Sequence, residues 1–173
     1  NMATRLVGVK GVILSGGPNS VTQINTPRAP AEVFEAGIPL LGICYGQQTI
    51  CAQLGGKVEA GNSREFGRAE MDILAKSPLF EGVWPDGSVQ TVWMSHGDHV
   101  ATLPEGFAVI ARSPGAPYAA IADESRGYYA VQFHPEVVHT KGGAGLLVNF
   151  ATHICGCNAS WTMKAYKDQA IAA

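Results

Sequence analysis

Charge is scarce in this chain. Asp, Glu, Lys and Arg make up only 15% of its 173 residues. Neither sign dominates: 12 basic and 14 acidic residues leave a formal net charge of −2. That excludes the basic surplus of a general nucleic-acid binder. No apolar run approaches the ~18 residues of a membrane span. No basic segment followed by an apolar stretch marks a secretory leader at the N-terminus. Cysteine is sparse as well. Cys44, Cys51, Cys155 and Cys157 are not spaced like a secreted disulfide framework, so a reducing, cytoplasmic compartment is expected. The segment His153-Ile154-Cys155-Gly156-Cys157 has no second cysteine pair to complete the four ligands zinc usually takes, and no metal site is assigned to it.

What the chain does have is apolar bulk and turns. Hydrophobic residues account for 46%, with 21 glycines and 10 prolines, which suits one globular domain with a sizeable core. Val12-Ile13-Leu14 runs into Ser15-Gly16-Gly17-Pro18, a buried strand ending in a glycine-rich turn. A short helix over Pro30 to Ala36 is closed by Gly37. Pro39 to Ile43 is a second buried strand, and Tyr45 to Leu54 a helix stopped by Gly55-Gly56. This rhythm is that of an α/β sheet. Further on, short strands are expected over Ala69–Ile73, Gln90–Met94, Phe107–Ala111, Ala119–Ala122 and Tyr128–Phe133. The turns between them leave little room for crossover helices, so part of this half is expected to be antiparallel. Helices are expected over Ala144–Ile154 and Lys164–Ala172. Asn1 precedes Met2, and the chain is expected to be a piece of something longer.

The strongest chemical signal is Gly42-Ile43-Cys44-Tyr45-Gly46, placed between a buried strand and a helix. A nucleophile on such an elbow has a strained backbone and needs small neighbours. The helix N-terminus behind it is expected to favour a thiolate. A nucleophilic cysteine also needs a base and a group to orient that base. Phe133-His134-Pro135-Glu136 supplies both types. Residues two apart on an extended segment share a face, so His134 and Glu136 are expected side by side at a strand end. Gly16-Gly17 after the first strand offers backbone N–H groups that can approach a ligand closely.

Together these three segments resemble the motifs of the triad-type class I glutamine amidotransferases, in that family's order. Arg64-Glu65-Phe66-Gly67, Trp93-Met94-Ser95-His96-Gly97-Asp98 and Val137-Val138-His139-Thr140 resemble more narrowly the amidotransferase domains of GMP synthases. Trp161-Thr162-Met163 resembles their exit towards an ATP pyrophosphatase domain. The resemblance implies a three-layer flavodoxin-like α/β fold with a mixed, mostly parallel central sheet. It places the amidotransferase domain at residues 1–157 and a linker or helix at 158–173. The family has a strand, a helix and a second strand ahead of the segment matching Gly11 to Pro18, and these are not found in the ten residues before Gly11.

The same resemblance implies roles. Cys44 is the nucleophile, His134 the general base and acid, and Glu136 the group orienting His134. The N–H groups of Gly17 and Tyr45 form the oxyanion hole. Gln48, with the backbone of Gly97 and Asp98, holds the substrate glutamine. Glutamine is hydrolysed to glutamate and ammonia through a thioester, without a cofactor in this domain. ATP and Mg2+ act in the synthetase domain, fused or separate, where ammonia aminates XMP to GMP. A homodimer of the full-length enzyme is expected, with no nucleic-acid or membrane partner. Three alternatives stand beside this reading: the amidotransferase subunit of another synthetase, a γ-glutamyl hydrolase or peptidase on the same fold, and a non-catalytic module that keeps the fold. Release of ammonia from glutamine against γ-glutamyl peptides, and labelling of Cys44 by a glutamine-like electrophile, separate them.

Overall fold

A computed structural model describes residues 2–159. The helix expected over Lys164–Ala172 lies outside the described residues, as does nearly all of the linker expected at 158–173. In chain order the elements are α1 (Met2–Arg5), β1 (Val12–Leu14), α2 (Ala31–Glu35), β2 (Leu40–Ile43), α3 (Tyr45–Gln53), β3 (Lys57–Ile73), β4 (Val89–Thr102), β5 (Ala108–Arg112), β6 (Ala120–Asp123), β7 (Tyr128–Val131) and α4 (Gly143–Asn149). A π-helical turn, Phe150–Ile154, continues α4.

The strands form a seven-stranded sheet in the order β1-β2-β7-β6-β5-β3-β4. β1, β2 and β7 are parallel neighbours. The other pairings are antiparallel. The mixed α/β sheet is as expected, but its balance leans further towards antiparallel pairing than "mostly parallel" implies. The cause is connection length: tight turns join β5 to β6 and β6 to β7, and parallel partners need a longer crossover.

All four residues of β2 and of β7 are buried, which explains their unbroken apolar runs. Alternate residues face opposite sides. Leu41, Ile43, Tyr129 and Val131 pack with Leu146 and with Phe150 of the π-helical turn. Ala130 and Ile121 pack on the other face with Ile50 and Cys51 of α3, while Leu40 and Tyr128 meet Val33 of α2. Helices therefore cover both faces, which gives the three layers.

Among the buried polar residues, Asp123 stands at the end of β6. Its carboxylate accepts hydrogen bonds from Ser125 N and Oγ and from Arg126 N and Nε, and so ties the β6–β7 turn. The Arg126 guanidinium lies 5.4 Å from the Phe107 ring centre and 5.0 Å from that of Tyr128.

β3 and β4 run much further than the short strands expected at Ala69–Ile73 and Gln90–Met94. They pair from Asp72↔Val89 to Lys57↔Thr102, with a register break between Ala60 and Glu65. The added lengths carry Gly61, Asn62 and Ser63 on one strand and Gly97 and Asp98 on the other. That is turn composition, and Gly61, Asn62, Ser63 and Gly97 fall in the register break itself, between the pairs Ala60↔Asp98 and Glu65↔His96. β7, in contrast, stops at Val131, before the expected Phe133.

Candidate active site

Cys44 stands between β2 and α3 with φ 53° and ψ −107°. Positive φ is costly for a residue with a Cβ and persists only where surrounding structure enforces it. Both flanking glycines are required. A Cβ at Gly42 would lie 2.7 Å from the carbonyl carbon of Gly46 and 2.8 Å from Gln47 N, and one at Gly46 would run into the carbonyl oxygen of Leu14. The elbow expected from the pentapeptide is therefore present, with α3 pressed against the end of β1.

Because β1, β2 and β7 are parallel neighbours, their carboxyl ends share one edge, where open α/β sheets form their crevices. Each contributes a segment there. A Cβ at Gly16 would sit 3.1 Å from His134 Cε1 and 3.6 Å from Cys44 Cβ, so the three segments converge. His134 Nδ1 lies 2.7 Å from Glu136 Oε1. A carboxylate only accepts, so Nδ1 carries the proton. His134 Nε2 is buried and has no hydrogen-bond partner. The Cys44 thiol points its proton at Ser95 O, 3.5 Å away, rather than at the imidazole.

His134 is also held through its backbone. Its N–H donates to Trp93 O at 3.0 Å. The Thr140 hydroxyl donates to His134 O at 2.6 Å and accepts from Trp93 N at 3.0 Å. His139 next to it is exposed and packs on the Trp93 ring, with centres 4.6 Å apart.

Gly17, Tyr45, Gln48, Gly97 and Asp98 line one cavity of about 750 Å³ with Cys44 and His134. Glu136 stands behind His134, outside that lining. Gln48 Nε2 donates to Asp98 O at 3.0 Å and to Gln132 Oε1 at 3.1 Å. Ser20 Oγ donates to the Asp98 carboxylate. His96 Nδ1 donates to Asp98 O at 2.9 Å, and its Nε2 lies 3.1 Å from Glu65 Oε2. The strand segment around Gly97 is thus held from α3, from the loop after β1 and from β3.

Burial pushes the Cys44 thiol up to about 11. The Tyr45 N–H pulls it down, the Glu136 charge pushes it up, and the nearby Gln132 amide pulls it down. The helix end considered alone predicts a thiolate. Desolvation outweighs that donor, and the resting side chain is a thiol.

Three supporting residues carry no assignment from sequence: Ser20, Gln132 and the hydroxyl of Thr140 as a backbone clamp. Only Gln132 leaves a signal. It lies two residues before His134, and the alternation that pairs His134 with Glu136 extends back to it. Cys51 is fully buried in the core as expected. Among the described residues no cluster of three or more His, Cys, Asp or Glu side chains could hold a metal ion, and no helix is long and apolar enough to cross a membrane.

A model of the class-I glutamine amidotransferases matches residues 1–154. The chain belongs to that family. Over 164 residues, 95% of its length, it is 66% identical to the GMP synthase [glutamine-hydrolyzing] of Bartonella bacilliformis, and 63% identical to that of Brucella melitensis. It spans 32% of each of these relatives, about a third of their length. Among solved structures, a putative GMP synthase subunit from Thermoplasma acidophilum superposes with a TM-score of 0.75 at 28% identity, covering 98% of this chain and 80% of that one. The α/β architecture of this amidotransferase chain is the one its relatives share.

Proposed function

We propose that this amidotransferase domain hydrolyses glutamine to glutamate and ammonia with Cys44, His134 and Glu136 as its catalytic triad. The observation that carries the reading is the convergence at Gly16: a strained cysteine elbow beside a histidine whose Nδ1 is fixed by a carboxylate and whose Nε2 is unbonded. His134 Nε2 takes the thiol proton, and the thiolate attacks the side-chain amide carbon of glutamine. The tetrahedral oxyanion forms against the N–H groups of Tyr45 and Gly17. His134 returns the proton to the departing nitrogen, which leaves as ammonia. A γ-glutamyl thioester remains on Cys44. Water, deprotonated by His134, attacks the thioester, and collapse releases glutamate and the thiol. Glu136 keeps the imidazole in the tautomer this requires and stabilises its charged form. Gln48, Gly97 and Asp98 hold the amino-acid end of the substrate.

The names of the relatives support an acceptor as well. Ammonia is passed to a synthetase half, where XMP, activated by ATP with Mg2+, becomes GMP. The setting is cytoplasmic, and the full-length enzyme is a homodimer. Residues 1–157 are the amidotransferase unit, and 158–173 lead towards the synthetase half.

Ammonia release from glutamine by wild-type and Cys44→Ala chains tests the hydrolysis. The variant is expected to be folded and inactive, and near-wild-type activity in it refutes the triad. Faster release from a γ-glutamyl peptide than from glutamine would favour the hydrolase alternative. Synthesis of GMP by the full-length enzyme from glutamine, XMP and ATP, lost in Cys44→Ala but restored by added ammonium, tests the coupling.

A further inference from the structure

The register break in β3 sets a glutamate behind the strand segment that faces the cavity. From Ala60↔Asp98 to Glu65↔His96, β3 advances five residues while β4 covers two. A bulge re-aims the side chains that follow it, and this one brings Glu65 directly across from His96. The two side chains meet: Glu65 Oε2 lies 3.1 Å from His96 Nε2. The other ring nitrogen, Nδ1, lies 2.9 Å from Asp98 O. With the carboxylate ionised, the ring meets two acceptors and gives an N–H to each. Asp98 O accepts a second hydrogen bond, from Gln48 Nε2 at 3.0 Å, so both lone pairs of that carbonyl are used. His96 is buried, at 7% exposure, and lines the cavity, whereas Glu65 is not part of the lining. Gly115, in the β5–β6 turn, makes room for this arrangement. A Cβ there would lie 2.5 Å from Glu65 Oε2 and 2.6 Å from Glu65 Cδ, in the place the carboxylate occupies to reach the ring.

We propose that Glu65 is a positioning residue for the substrate, acting through His96: it fixes the imidazole so that Nδ1–H holds the Asp98 carbonyl, and with it the Gly97–Asp98 segment against which glutamine binds. The proposal rests on the reading of that segment as the holder of the amino-acid end of glutamine. The segment needs such a brace because Gly97 falls in the register break, between the paired residues His96 and Asp98. The partner on one ring nitrogen decides which tautomer and orientation the other presents. Without Glu65, the ring can carry its proton on Nε2 and turn a lone pair on Asp98 O, which repels the carbonyl. Gln48 and Ser20 then hold Asp98 alone, the first through its carbonyl and the second through its carboxylate. Among the described residues the brace makes no hydrogen bond to Cys44 or His134, so its loss weakens the hold on glutamine more than the chemical step.

The test is steady-state ammonia release from glutamine, with a thermal melt of each chain, in wild type, Glu65→Ala, Glu65→Gln and Gly115→Ala. Alanine at 65 removes the brace. Glutamine at 65 can turn its NH2 on Nε2, which keeps the ring proton on Nδ1, so it recovers most of the loss. Gly115→Ala leaves both side chains in place and pushes the carboxylate off the ring. The displaced atoms are the far end of a flexible side chain, so this variant folds and covers the case in which Glu65→Ala does not. Losing one hydrogen bond of ordinary strength shifts an equilibrium by about 3- to 10-fold. KM for glutamine is therefore expected to rise about 3- to 10-fold in Glu65→Ala and to rise in Gly115→Ala, with kcat changing less than KM in both and Glu65→Gln closer to wild type than either. Calorimetric titration of glutamine into the same variants built on Cys44→Ala is expected to rank their affinities in the same order. A wild-type KM in either folded alanine variant, or a Glu65→Gln chain as impaired as Glu65→Ala, overturns the proposal. Failure of the underlying reading shows differently, as a wild-type chain that neither binds nor hydrolyses glutamine.

Discussion

Thr140→Val isolates one hydroxyl that ties His134 to β4. Valine has nearly the same shape as threonine, so no cavity opens. What is lost is the pair of hydrogen bonds, from Thr140 Oγ1 to His134 O at 2.6 Å and from Trp93 N to Thr140 Oγ1 at 3.0 Å. Thr140 is buried, at 4% exposure, so water cannot easily take its place. Each buried group left without a partner costs about 1–3 kcal/mol. The half-buried Trp93 backbone falls at the low end, and the sum is about 2–4 kcal/mol. For a domain of this size that lowers Tm by about 5–15 °C. The effect on rate is separate. With the carbonyl of His134 released, the bond from its N–H to Trp93 O is the one backbone tie left, beside the Glu136 contact to Nδ1, to set the height of the imidazole over Cys44. A displacement of ~1 Å costs about a hundredfold, so kcat for glutamine hydrolysis is expected to fall about 10- to 100-fold. KM is expected to change little, because Gln48 and Asp98 are held by other contacts. Thr140→Ser keeps the hydroxyl, loses one methyl worth about 1 kcal/mol, and should restore most of the rate. Thermal melts and steady-state ammonia assays of both variants decide the matter. A valine variant with wild-type kcat, or a serine variant as slow as valine, refutes the reasoning.

Glu136→Ala should reduce kcat less than His134→Ala, because the carboxylate orients the imidazole and stabilises its charge without carrying the proton; single-turnover rates in the reverse order exclude these roles. Gly46→Ala drives a Cβ into the backbone of β1 at Leu14, and an overpacked site that cannot yield costs about 1–3 kcal/mol or more, so reduced soluble yield and a lower melting midpoint are expected, whereas a wild-type melt contradicts the packing of α3 on β1. With its thiol held at about 11, Cys44 should be alkylated slowly at pH 7 and about tenfold faster for each pH unit towards that value, and a rate already at its plateau at pH 7 refutes the resting thiol. Burial alone would raise the Asp123 carboxyl, but hydrogen bonds from Ser125 and Arg126 and the Arg126 charge hold it below the ordinary carboxylate range. A lowered folded pKa gives stability that is present above the unfolded value, ~3.9, and is lost as pH falls through the folded value. Asp123→Asn should therefore be less stable than wild type at pH 7, with a gap that closes below pH 4 in denaturant melts; a gap independent of pH shows that the charge is not what matters.

How far the site was legible from the sequence follows from how its parts are held. Cys44 and His134 each follow a strand buried on both faces, whereas Gly16 follows β1, the edge strand, whose Ile13 is exposed. All three strands announce themselves as short apolar runs, and the residue after each run falls at the crevice by the geometry of a parallel sheet. Three motifs, each legible alone, therefore share an edge once β1, β2 and β7 are neighbours. Their adjacency was not legible. β7 lies beside β2 although five elements intervene in the chain, and no local pattern encodes such a pairing. The polar ribbon of β3 and β4 hid itself for the opposite reason. A strand that lines a polar cavity cannot be apolar there, so Ser95, His96, Gly97 and Asp98 have the composition of a loop, while Ser95, His96 and Asp98 pair as a strand with Phe66, Glu65 and Ala60.

The state of Cys44 shows why a motif yields the parts of a site but not their balance. The elbow, the helix start and the glycines that permit the turn are local, and each is legible in the pentapeptide. Whether the sulfur ionises depends on a sum over distant groups. Packing at the end of the sheet removes water, Glu136 adds unfavourable charge, and the Tyr45 N–H and the nearby Gln132 amide oppose both. The elbow that lifts the thiol to the crevice also presses it into a dry corner, where a bare thiolate is disfavoured. On the triad proposed above, a site built this way keeps Cys44 protonated until His134 removes the proton. It follows that the histidine limits when the cysteine becomes reactive, and that contacts placing His134, above all the Thr140 clamp, bear on the rate more directly than contacts around the sulfur.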